Sequence, residues 1–211
     1  MGVLTEIPDY KIRTPKCWIS VNPAFDVVLE IQKLYKEEEL TEYEKLEQAL
    51  RMLVKNKWNL KRFSISEKEA LLKEISRRYI DMKKRPQVRK NPILVLDFEE
   101  DGDYIYSSFM QDYGIDLINE QGKLPWKKFI YLFNGLSSET KIKQVMRIRE
   151  MKVPAYNGKN MEQIQEIQEL KAYYALPIHG GGGQSGLDML FHALERMAKS
   201  CLLYTSPSPR D

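Results

Sequence analysis

Apolar side chains recur at three- and four-residue spacing along most of this chain, and that period constrains the fold more than any other feature. Phe25, Val28, Leu29, Ile31, Leu34 and Tyr35 repeat at helical spacing, behind Asn22 as a candidate N-cap and Pro23 at the first helical position. A second helix is expected from near Thr41, with Tyr43, Leu46, Leu50, Leu53 and Val54 on one face. Ser66 and Glu69 read as the capping box of a third helix, with Ile65 stapled against Ala70 and a stripe of Leu71, Leu72, Ile75, Tyr79 and Met82. Pro86 and Pro92 bracket a basic linker, 83–92, expected to join two helical halves.

The second half continues in the same period. Residues 97–114 read as a helix with Phe98, Ile105, Phe109 and Tyr113 facing inward, stopped by Gly114 in a left-handed conformation. Pro125 opens a short helix that buries Trp126, Phe129, Ile130 and Phe133 and ends at Gly135. The next begins near Ser137 or Ser138, carries Ile142, Val145, Met146 and Arg149, and stops before Pro154. A last helix, 161–176, has Ile164, Ile167, Leu170 and Tyr174 as its apolar side. Strand-like alternation is confined to Tyr10–Val21, two short runs around Thr14 and Pro15 that suggest a hairpin or extended arm. The expected fold is therefore mainly α: a multi-helix globular domain over 1–176 with a short extended or hairpin N-terminal arm.

Beyond it, 177–186 reads as a glycine-rich hinge and 187–200 as an amphipathic C-terminal helix. Residues 201–211, CLLYTSPSPRD, resemble one reading frame of a transposon-based sequencing-library adapter; they are expected to be non-native and are excluded from fold reasoning. Cys17 is then the only native cysteine, and no disulfide is expected.

Hydrophobic residues at 43% and charged residues at 30% describe a chain able to bury a core, and a net charge of +3 does not by itself imply a polyanionic partner. No apolar run approaches the roughly 20 residues of a membrane span, so no membrane partner is expected. Asp97, Glu99, Asp101 and Gly102 partly match a calcium loop, but Ser108 stands where a bidentate glutamate is needed; the stretch reads instead as a solvated helix start. His179 and His192 are far from any cysteine, and the tetraglycine at 180–183 lacks the Lys and Ser/Thr of a phosphate loop. Cys17 reads as a small buried apolar residue. Lys83, Lys84, Arg85, Arg89 and Lys90 could neutralise phosphates, but no aromatics interleave with them, so a nucleic-acid-binding module is only an alternative reading. No catalytic, cofactor-binding or metal residues are expected, and the chain does not read as an enzyme.

Tyr113, Gly114, Ile115, Asp116 and Leu117 (YGIDL), then Leu124, Pro125, Trp126 and Phe129, then Leu136, and then Arg147 and Arg149 in RIR occur in an order that resembles the bacteriophage gene-product-fifteen family, over residues 1 to about 176. The resemblance implies a protein of tailed phages of Gram-positive hosts, similar to tail-assembly chaperones that keep the long hydrophobic helices of the tape-measure protein soluble. It implies the tape-measure protein or other tail-assembly proteins as partners, with self-association possible, and the host cytoplasm during assembly as the place of action. A structural tail component is the alternative it leaves open. Met110, Met146 and Met151, whose side chains adapt to varied surfaces, are candidates for the partner surface.

Overall fold

The computed structural model describes residues 8–82 and 95–177. The linker 83–92, the tetraglycine, the helix expected at 187–200 and residues 201–211 lie outside the described residues. The described chain is mainly helical and divides into two compact units. The first contains 8–82 together with Gln121–Phe129; the second contains 95–120 and 130–177. No helix of the described residues is long and apolar enough to cross a membrane.

In the first unit, β1 (Lys11–Arg13) and β2 (Trp18–Ser20) form the expected antiparallel hairpin, with Lys11 opposite Ser20 and Arg13 opposite Trp18. The Thr14 hydroxyl donates to the Cys17 carbonyl at 2.6 Å and accepts from the Cys17 N–H at 3.1 Å, closing the turn. Strand alternation turns Ile12 and Ile19 into the core and Lys11, Arg13 and Trp18 to solvent. Cys17 is half-buried, more open than its small apolar character suggests.

Helix α1 (Phe25–Lys36) starts later than the Asn-Pro signal predicts, and its N-cap is Ala24, not Asn22. The reason is tertiary. The Asn22 N–H donates to Leu53 O, the Pro23 carbonyl accepts from Trp126 N–H, and the Phe25 N–H donates to Leu124 O, so this stretch is held extended on both sides. Helix α2 (Glu42–Leu53) starts where expected, with a complete capping box between Thr41 and Glu44. Leu46, Ala49, Leu50 and Leu53 are buried, and each of the three leucines contributes roughly 1.5 to 3 kcal/mol. Tyr43, expected on that face, is instead exposed and donates to Glu47.

Helix α3 (Ile65–Ile75) corrects another expectation. Its capping box is Ser64 with Glu67, not Ser66 with Glu69; the Ser64 hydroxyl accepts from Glu67 N–H, and the Glu67 carboxylate accepts from Ser64 N–H at 2.7 Å. Ile65, expected as the staple residue before the helix, is its first residue and is exposed. Two S-x-x-E matches overlap in "SISEKE", and Phe63, buried just before Ser64, favours the earlier one. The helix continues as a wider π turn over Ser76–Ile80, which buries Tyr79 and Ile80; Met82 is only half-buried.

In the second unit, α4 (Gly102–Tyr113) ends at Gly114, whose φ of 62° is the left-handed stop expected. Helix α5 (Trp126–Gly135) has its first residues in the first unit and its last in the second. Helix α6 (Lys141–Glu150) begins after Thr140, not at Ser137 or Ser138. Those serines are taken up beforehand: Ser137 donates its N–H and hydroxyl to the Asp112 carboxylate at 2.7 and 3.1 Å. The start of α6 is served by α4, whose Ser108 hydroxyl accepts from Ile142 N–H at 3.1 Å. Helix α7 (Met161–Tyr173) closes the described chain.

Candidate partner-binding surface

The second unit is organised around Arg149, near the end of α6. The first element it meets is Asp101, at the entry to α4: Nη1 and Nη2 donate to Oδ2 and Oδ1 at 2.6 and 2.8 Å, a bidentate fork. The same guanidinium donates to Val95 O at 3.0 Å and, through Nε, to Tyr174 O at 2.6 Å, just past α7. Asp101 also accepts from Asp97 N–H, and Asp97 from the Glu99 and Glu100 N–H groups, so the entry turn is closed by its own carboxylates. Asp97 and Asp101 are both buried, which overturns the reading of this stretch as a solvated helix start. Removing one partner of such a pair leaves a buried charge uncompensated, so the pair is required once built.

Helix α7 is attached by its C-terminal end. Lys171 Nζ reaches the Met151 carbonyl at 2.9 Å and also bonds Arg149 O, placing a cation on the negative end of the α6 dipole. Tyr174 accepts from Lys141 Nζ at 2.7 Å, and the same ammonium lies over its ring and that of Tyr104. The Tyr174 hydrogen bond, outweighing the opposing effect of desolvation, raises the Lys141 pKa. Lys143 lies over the Phe133 ring, and its burial lowers its pKa.

Away from these contacts α7 is uncovered. No residue of the helix is buried: Ile164 and Ile167 are half-covered, Leu170 is 37% exposed and Tyr173 is 78% exposed. This apolar side was legible as a face, but nothing in its sequence shows that its own unit leaves it uncovered.

The family-motif residues have mainly structural tasks. The Tyr113 hydroxyl donates to Leu132 O at 2.9 Å, tying α4 to the second-unit end of α5, and a Cβ placed on Gly135 would stand 3.0 Å from that hydroxyl. Gly114 N–H bonds Met110 O, and Ile115, half-buried, bonds Phe109 O. Asp116 accepts from Ile118 N–H and from the Asn119 amide, holding the turn that follows, and Leu117 is buried. Leu124, Pro125, Trp126 and Phe129 belong to the first unit: Pro125 bridges Ala24, and Phe129 stacks on Phe25 at 4.8 Å. Leu136 is buried in the second unit. Arg147 is exposed, unlike Arg149.

The three methionines are on separate elements: Met110 on α4, Met146 on α6, and Met151 just after α6. Met110 is exposed, and Met146 and Met151 are half-buried. Sequence reading missed the basic stretch at 55–62 around Trp58. Among the described residues no group of three or more His, Cys, Asp or Glu side chains could hold a metal ion.

Comparison with curated proteins and with solved structures found no match. A family model does match: that of the Bacteriophage Gp15 protein, over residues 6–176, which includes every motif residue named above and every described residue except Pro177. The chain therefore belongs to the Bacteriophage Gp15 family.

Proposed function

We propose that this phage protein is a non-enzymatic tail-assembly chaperone that shields apolar helices of the tape-measure protein during tail morphogenesis in the host cytoplasm. The observation that carries this reading is α7: a helix anchored through its C-terminal end, with an apolar side that its own unit leaves uncovered. Such a face suits a second amphipathic helix laid along it, using Ile164, Ile167 and Leu170 as anchors at helical spacing. The Arg149 clamp supports the same reading, since it keeps the face in place with nothing yet bound to it. The identity of the partner rests on the family resemblance.

Co-expression with a fragment of the tape-measure protein tests the proposal. The full chain should raise the soluble yield of that fragment, and an Ile167→Glu, Leu170→Glu variant that stays folded should not. Equal yields with and without the protein would end the proposal. Mass spectrometry of purified virions separates a chaperone, which is absent from the particle, from a structural tail component, which is present.

A further inference from the structure

The first unit carries a surface that the chaperone reading does not use. A 3-10 turn at Lys57–Arg62 is pinned beside the hairpin: Lys55 N–H bonds Ser20 O at 2.8 Å, Asn56 bridges Ser20 N–H and Trp18 O at 2.9 and 2.7 Å, and Lys16 Nζ bonds Arg62 O at 2.8 Å. These bonds hold the turn that carries Trp58 against the strand that carries Trp18, and both indoles are exposed, at 80% and 56%. Each indole has a cation against its ring, Lys61 over Trp58 at 5.0 Å and Arg13 over Trp18 at 5.9 Å. Residues 10–20 and 55–64 contain no Asp or Glu. Lys16 is taken by Glu67 at 2.6 Å, whereas Lys11, Arg13, Lys55, Lys57, Lys61 and Arg62 form no ion pair with a described carboxylate.

We propose that this surface binds single-stranded nucleic acid, with Trp58 and Trp18 as stacking platforms and the six cations on its phosphates. Two physical facts favour that occupant. Open indole faces interleaved with cations match alternating bases and phosphates, because every base has a π-face and stacking needs no sequence. The other apolar residues of the turn and its exit, Leu60 and Phe63, are buried, so beyond the indoles the turn offers little to enter a bilayer. An acidic peptide would satisfy the cations and leave the rings unused. The basic linker at 83–92 has cations without aromatics; here the fold supplies both.

Titration of the full chain with an oligothymidylate of about 20 nucleotides tests this, read by indole fluorescence, since Trp126 is fully buried and the other two tryptophans report on the surface. Binding should quench emission at low salt and weaken with a log–log slope of about −0.7 per phosphate contact. Trp58→Ala should weaken binding about 5- to 150-fold with the slope unchanged. Lys57→Gln with Lys61→Gln should flatten the slope by about 1.4. These side chains are exposed, and an unchanged thermal melt confirms that each variant folds. Absence of binding at low salt, indifference to Trp58→Ala, or equal or tighter binding of phosphatidylserine vesicles, polyglutamate or a DNA duplex of the same length would each overturn the proposal. Variants of α7 leave this titration unchanged if the two surfaces are independent.

Discussion

Helices α2 and α7 are of similar length and both read as amphipathic, yet their surroundings differ. Every large aliphatic residue on the inner face of α2, from Leu46 to Leu53, is buried, and its start is closed by a capping box; α7 buries nothing and has no side-chain cap. Helical period states which side is apolar, but not whether the fold covers it. In α2 the apolar face supplies stability. In α7 attachment comes from Lys171, Tyr174 and Arg149, and the apolar face is left uncovered.

Four substitution experiments can break or sharpen that contrast. The largest expected effect is at the clamp: Arg149→Ala should cost about 3 to 5 kcal/mol in urea unfolding, because Asp101 would remain buried without its partner. Arg149→Lys should recover little, since one ammonium cannot reproduce the fork. Next, Leu50→Ala should cost about 2 to 5 kcal/mol by opening a cavity in the core, whereas Leu170→Ala should stay within about 0.5 kcal/mol. A large loss for Leu170→Ala would mean that its face is covered after all.

A smaller effect separates the two candidate helix starts. Ser64→Ala should cost about 1 kcal/mol and Ser66→Ala almost nothing. The smallest concerns pH. Lys16, followed by the Ser64 N–H, pulls the Glu67 carboxyl from its ordinary 4.5 to about 2. A depressed folded-state pKa means stability that is present above the ordinary value and lost as pH falls toward 2. Glu74 is likewise pulled to about 2, first by its hydrogen bond from Arg77, so thermal melts between those limits should show a slight acid-side decline that Glu67→Gln and Lys16→Gln each reduce but do not abolish.

Much of this fold is legible from local signals. The helix start near Thr41, the left-handed stop at Gly114 and the apolar periods of α2, α4 and α5 each depend on residues within a turn or two of one another. What escapes sequence reading is set by distant partners. Pro23 fails as a helix start because Trp126 and Leu53 claim the backbone on either side of it. The acidic run at 97–103 looks solvated until Arg149, 48 residues away, is brought onto Asp101. Trp58 and Trp18 come onto adjoining segments only once Asn56 joins the turn to the hairpin.

The uncovered side of α7 is the central claim, and amide hydrogen exchange with and without a tape-measure fragment tests it most directly. Exchange across Ile164 to Lys171 should slow when the fragment binds, while the amides of α2, already protected by their core, should not change. Binding of the fragment with exchange in α7 unaltered would contradict the account.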